Sequence, residues 1–173
     1  MTSIVVRPEG PEDYPAIREA LTLAFPDEDV AGLTELLRNE PGYTPDLALV
    51  AVAEGEVVGH ILFSPVHVET SSGDVPALML GPLGVVPAWQ NQGIGTRLVW
   101  DGLDACRRLE HRILTVLGHP SYYPRFGFVL ASAQGITMDY SGPDEGKMVM
   151  ELAPGALDGV HGPLRWPAAL DEV

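Results

Sequence analysis

The residues best suited to chemistry lie in the run Gln90-Asn91-Gln92-Gly93-Ile94-Gly95-Thr96-Arg97. Gly93 and Gly95 carry no side chain that could keep a ligand away from the backbone. Where a helix begins at such a turn, its first N–H groups have no intrahelical partner and the positive end of its dipole faces outward. Backbone donors and dipole together make an anion site, best suited to phosphates. A second group is Tyr122-Tyr123-Pro124-Arg125-Phe126-Gly127-Phe128. A phenol has a reference pKa of ~10, so it holds its proton at neutrality. His60, His67 and His119 could accept a proton near neutral pH. Each also reads as an ordinary strand or loop histidine, and none is assigned as a base. No His, Cys or Asp spacing predicts a metal site, and no Gly-x-Ser-x-Gly elbow predicts a hydrolase.

The elements around the glycine turn have to place it at a helix start. The β-branched run Leu83, Val85, Val86 stops at Pro87, and Leu98, Val99, Trp100, Leu103, Cys106 and Leu109 form an amphipathic pattern after it. The reading is strand, turn, helix, with strand at 75–86 and helix at 97–110. Two other phosphate motifs fail. A Walker loop requires Gly-Lys-Ser/Thr, and no Lys follows here; a dinucleotide fingerprint requires a third glycine, where this chain continues Arg97-Leu98. Elsewhere the pattern predicts a strand at 4–7, helices at 11–25 and 29–40, and a hairpin of 47–54 with 56–68 turning at Gly55. Ile113 to Leu117 is fully apolar, as in a buried parallel strand. A loop at 118–125, strands at 126–130 and 147–152, and an irregular tail from about 153 complete the chain. Cys106 falls mid-helix on the apolar face and reads as structural.

Composition narrows the function class. The chain has 173 residues and 46% hydrophobic content, which predicts a single globular domain over 1–173. No apolar run matches a membrane span and the first residues lack a signal-peptide pattern, so no membrane partner and a cytoplasmic location are expected. The single cysteine excludes an internal disulfide. A net charge of −14 argues against nucleic acid. No Asp or Glu occurs between Val75 and Trp100, and 97–125 holds five arginines against three acids. The basic residues therefore concentrate where an anion would sit. The acidic remainder could steer a cationic partner.

Gln90-x-x-Gly93-x-Gly95 behind Val85-Val86-Pro87 resembles the pyrophosphate-binding motif of the GNAT superfamily of N-acetyltransferases. The element order is also similar to theirs over roughly Ile4 to Leu152. The resemblance implies an α/β (α+β) fold. In it a mixed, mostly antiparallel sheet is flanked by helices, and a splayed strand pair holds the cofactor. It implies acetyl transfer from acetyl-coenzyme A, without a metal, to a primary amine of a small molecule or a protein. The backbone of Leu83, Gly84 and Val85 would pair with the pantetheine arm. The N–H groups of Asn91, Gln92, Gly93, Ile94, Gly95 and Thr96 would hold the pyrophosphate, with Arg97 near and Gln90 shaping the turn. Tyr123 matches the Tyr of the family's Tyr-x-x-x-Gly-Phe stretch and would protonate the leaving thiolate. The loop Gly118-His119-Pro120-Ser121-Tyr122-Tyr123 is similar to that of a bacterial subgroup of predicted N-acetyltransferases. The alternative reading is a non-catalytic acyl-coenzyme A binding or sensor module. A monomer or a homodimer is compatible with either.

Overall fold

The structure, a computed structural model, describes residues 2–167 and 170; Met1, 168, 169 and 171–173, which include the end of the expected irregular tail, lie outside the described residues. The described chain forms two compact units, one from 2–63 and 82–105, the other from 64–81 and 106–167.

In the first unit β1 (Ile4–Pro8), β2 (Ala48–Ala53) and the first half of β3 (Glu56–Thr70) pair antiparallel, with Val6 opposite Ala51 and Val50 opposite His60. The β2–β3 hairpin turns at Glu54 (φ 52) and Gly55 (φ 78). Two successive left-handed residues match the twist of the flanking strands. Helix α1 (Tyr14–Ala24) follows a short 3-10 turn in which Asp13 accepts from the Gly10 N–H at 2.9 Å. Helix α2 (Val30–Arg38) is capped by Asp29, which accepts from the Gly32 N–H at 2.9 Å. Ile17, Leu21, Val30 and Ala31 pack with Val50, and Leu37 packs with Ala48 and Leu62, so α1 and α2 share one sheet face. The other face receives α3 (Ile94–Arg108). A Cβ on Gly59 would touch Leu98 at 3.1 Å and Ile94 at 3.4 Å, and one on Gly102 would strike the Phe63 ring. These glycines allow the helix a close seat on the strand.

In the second unit the early part of β4 (Gly73–Val85) runs parallel to β5 (Ile113–Leu117), with Leu78 opposite Leu114 and Leu80 opposite Val116. The apolar run at 113–117 thus takes the parallel position its composition predicts. Antiparallel to β5 lies β8 (Lys147–Glu151), and β6 (Val129–Leu130) pairs with β8. The ladder of β4 with β5 ends at Leu80–Val116, and Gly81 follows at φ 138 while β4 itself continues to Val85. The fold class is a mixed, mostly antiparallel sheet flanked by helices.

Four expectations need correction. Helix α3 starts at Ile94, three residues before Arg97, because Gly93 at φ 83 ends the turn there, and it stops at Arg108 before Glu110 at φ 64. The strand expected from Phe126 starts at Val129, because Tyr123–Phe126 winds into a 3-10 turn closed by Gly127 at φ 109. Ile136–Thr137 forms an unforeseen strand, β7. The tail expected to be irregular carries β9 (Gly162–Arg165), which pairs with β7 and with β3 at His67 and Val68. Its Gly-Pro start hides the strand, since the pairing comes from distant residues and not from local propensity.

Candidate functional site

The glycine turn is built by residues on both sides of it. The Val86 N–H donates to the Val58 carbonyl at 2.9 Å and fixes the end of β4 against β3. Pro87–Trp89 makes one 3-10 turn. The Gln90 side chain folds back, its Nε2 donating to the Val85 carbonyl at 2.9 Å. This bond ties the loop back to the end of β4. Asn91 stands at φ 62 and Gly93 at φ 83. Gly93 is exposed, and a Cβ there would meet no atom within 4 Å. The first backbone bond of α3 is Arg97 N–H to Gly93 carbonyl, 3.0 Å. The N–H groups of Ile94 and Gly95 precede it and have no carbonyl a turn back within the helix. Gln92 sits on the turn surface, its Nε2 3.4 Å from the Ala88 carbonyl. Arg97 lies on the first helical turn, but its guanidinium faces β1: Nη1 donates to the Ile4 carbonyl at 2.6 Å, and Nε lies 3.6 Å from Asp101.

Leu83, Gly84 and Val85 lie in the last residues of β4. Gly84 is buried beneath α1, where a Cβ would meet Leu21 at 2.9 Å and Phe25 at 3.0 Å. A side chain here would force the Leu21 and Phe25 side chains to shift. This packing role was not read from the sequence; the only signal was a glycine inside a β-branched run.

The second-unit residues place Tyr123 with similar care. The residue is 8% exposed, and its ring lies edge-on to Tyr122 (5.1 Å between centroids) and to Phe128 (5.7 Å). The Tyr122 and Tyr123 N–H groups both donate to the His119 carbonyl. Gly118 forms the shelf beneath the ring: a Cβ there would overlap it, with Cδ2 at 2.6 Å. Gly118 belongs to the loop singled out in the sequence, yet its role needed the structure. Burial, helped by Tyr122, pushes the Tyr123 phenol up to about 12. No hydrogen bond holds its hydroxyl among the described residues. The phenol therefore keeps its proton throughout the physiological range.

The histidines divide clearly. His60 is fully buried and bound to Glu9, so it cannot meet a substrate. His67 is partly exposed, 3.7 Å from Asp74, and His119 is exposed. Cys106 is fully buried, and burial pushes its thiol up to about 12, well away from a nucleophilic thiolate. Among the described residues no group of His, Cys, Asp and Glu could hold a metal ion. No helix among them is long and apolar enough to cross a membrane. The first unit also has an open cleft of about 760 Å³ between α1, the β2–β3 turn and Val86–Trp89, with Glu12, Glu19 and Glu56 among its walls.

Comparison with known proteins identifies the family. Residues 14–128 match the model of the acetyltransferase (GNAT) family. The chain is 35% identical over 160 residues to the uncharacterised N-acetyltransferase YhbS of Escherichia coli K12, covering 92% of this chain and 93% of that protein. It is 37% identical over 136 residues to YjhQ of the same organism, another uncharacterised N-acetyltransferase, covering 78% and 75%. The crystal structure of E. coli YhbS in complex with coenzyme A superposes with a TM-score of 0.89 at 31% identity, covering 99% of this chain and 93% of that one. A GNAT acetyltransferase of Brucella melitensis in complex with acetyl-coenzyme A gives 0.78 at 30% identity, covering 98% and 99%. The chain belongs to the GNAT family of N-acetyltransferases. It is therefore an acyltransferase by class.

Proposed function

We propose that this chain, as one N-acetyltransferase domain, transfers the acetyl group of acetyl-coenzyme A to a primary amine by direct attack. The observation that carries the reading is the turn: Gln90 closes on Val85, Gly93 borders open space, and a helix of 15 residues starts at Ile94. Such a turn suits a pyrophosphate. The complexes of the E. coli and Brucella relatives with coenzyme A and acetyl-coenzyme A support the same use here.

In this reading the N–H groups of Ile94 and Gly95, with the turn before them, hold the pyrophosphate. Arg97 adds positive charge at the helix start while its Nη1 stays on Ile4. The backbone of Leu83 to Val85 pairs with the pantetheine amides as an added strand would. An ammonium acceptor first gives one proton to water; the neutral nitrogen then bonds to the thioester carbonyl carbon, the carbon–sulfur bond breaks, and a second amine proton leaves to water. The Tyr123 hydroxyl donates to the departing sulfur. Catalysis is then mostly positioning, with proton management at the sulfur. The net charge of −14 and the acidic walls of the first-unit cleft favour an acceptor that arrives as a cation.

The test is thiol release from acetyl-coenzyme A over a panel of amino acids, polyamines, aminoglycosides and protein N-termini. Amine-dependent release, matched by acetylated amine in the mass spectrum, is the expected result. Tight acetyl-coenzyme A binding with no turnover on any amine would instead favour a binding or sensor module. Absence of binding would overturn both readings.

A further inference from the structure

The first unit holds a buried polar cluster that acetyl transfer does not use. The Glu9 side chain, at the end of β1, is fully buried. Four donors converge on its carboxylate. Arg38, the last residue of α2, gives Nε to Oε2 at 2.8 Å and Nη2 to Oε1 at 3.1 Å. Tyr43, in the segment after α2, gives its hydroxyl to Oε2. His60, on β3, gives Nε2 to Oε1 at 2.7 Å. The Arg38 guanidinium also lies 3.9 Å over the ring of Tyr14 on α1. These are the charged and titratable groups that face His60 from β1, α1, α2 and the segment beyond it.

We propose that Glu9, Arg38, Tyr43 and His60 form a proton-released latch that docks α2 and the segment 39–43 onto β1 and β3. The closed latch balances only one way. An ionised carboxylate accepts and cannot donate, so His60 Nε2 must carry the hydrogen. The charges of Glu9 and Arg38 then cancel, and Tyr43 and His60 are neutral donors. All acceptor positions on Glu9 are filled. His60 Nδ1 has no partner among the described residues. A proton there would add a second cation beside Arg38, fully buried, with no acceptor for the new N–H.

Titration directions agree with this geometry. Burial holds His60 below its ordinary value, and Arg38 adds to the effect, against the opposing pull of Glu9. Burial alone would raise Glu9, but the bonds from His60, Arg38 and Tyr43 outweigh it and bring the carboxyl down to about 2. The sign follows. The open form binds a proton on His60 near the ordinary ~6.5, and the closed form does not, so the latch is closed above that pH and loosens below it. Between pH 7.5 and 5.5 the opening equilibrium should rise about tenfold. Glu9 adds little in that window, because even released it titrates near the ordinary ~4.3. Released, α2 would not persist as a helix, since nine residues are too few in water.

Hydrogen exchange of the full chain tests the latch, corrected for intrinsic rates and run at pH 7.5, 6.5 and 5.5. The opening constant for amides 31–38 should rise about tenfold across the series. In His60→Gln, which keeps a donor for Glu9, the rise should fall below about twofold. His111→Gln, at the other histidine held low by burial, should keep the wild-type slope. A flat wild-type profile, or an equal slope in a folded His60→Gln protein, would overturn the proposal. If that variant does not fold, the His60 ring in wild type decides by NMR. It should stay neutral to pH 5.5 in the closed form, and ordinary titration without faster exchange would refute the latch.

Discussion

Replacing Tyr123 by Phe removes one oxygen and leaves the ring on its Gly118 shelf. The size of the effect follows from the environment of the phenol. Burial holds its pKa at about 12, whereas a thiol titrates near ~8.5. Complete proton transfer from this phenol to a free thiolate is uphill by about 3.5 pH units, or roughly 5 kcal/mol. The hydroxyl therefore acts chiefly by hydrogen-bonding the charge that grows on sulfur as the bond breaks. One preorganised donor to a developing anion contributes ~2.7–4 kcal/mol, or about 10²–10³ in rate. That lies in the lower part of the ~10²–10⁴ span of general acids. Single-turnover measurements with saturating acetyl-coenzyme A and an active amine should find this loss, with cofactor affinity unchanged by calorimetry. The defect should shrink with a thioester whose thiol is a better leaving group. Stability should stay within about 0.5 kcal/mol, because the hydroxyl makes no bond to any described residue. Tyr122→Phe should remain near wild type. A folded Tyr123→Phe protein with the wild-type single-turnover rate would refute the reasoning, and an equal loss in Tyr122→Phe alone would move the role to that residue.

Gly118→Ala forces the Tyr123 ring from its place. It should cost about 1–3 kcal/mol in thermal unfolding and slow the chemical step as Tyr123→Phe does; a stable, fully active variant would argue against the shelf. Cys106→Ser should keep full activity under direct transfer, with no acetylated cysteine in the mass spectrum, because the buried thiol is held near 12. Trapping acetyl-Cys106 would contradict this. Gln90→Leu removes the bond to the Val85 carbonyl. Acetyl-coenzyme A affinity should drop about fivefold, the equivalent of ~1 kcal/mol, and an unchanged calorimetric Kd would deny Gln90 its part in closing the turn.

The strand-turn-helix unit around Gly93 was legible because its signals are local. Gln90, Gly93 and the apolar pattern after them sit within one strand-turn-helix unit, and each residue type answers a backbone need there. Helix α3 was misplaced only at its ends, where a left-handed Gly93 and Glu110 decide the boundary. What escaped depends on residues far apart in the chain. The Glu9 cluster joins β1, α2, the segment after it and β3, and nothing near Glu9 in sequence announces Arg38 or His60. Gly84 and Gly118 read as ordinary glycines until α1 and the Tyr123 ring are seen against them. Strand β9 forms because His67 and Val68 supply its partner, against the local signal of Gly162-Pro163. The sequence left His60 open between a base and an ordinary strand histidine, and only the fold decides for the latter. Burial and the bond to Glu9 are properties of the fold.

The central claim is that the turn at the start of α3 holds the pyrophosphate of acetyl-coenzyme A. Titration calorimetry of the wild type against Gly95→Val tests it most directly. Gly95 lies within the helix, outside the left-handed region, so valine there brings no left-handed backbone strain. Gly93, at φ 83, would confuse strain with binding. Wild-type protein should bind acetyl-coenzyme A, and the valine should crowd the phosphate and weaken binding at least tenfold, about 1.4 kcal/mol. A folded Gly95→Val protein that binds acetyl-coenzyme A as tightly as wild type would contradict the account.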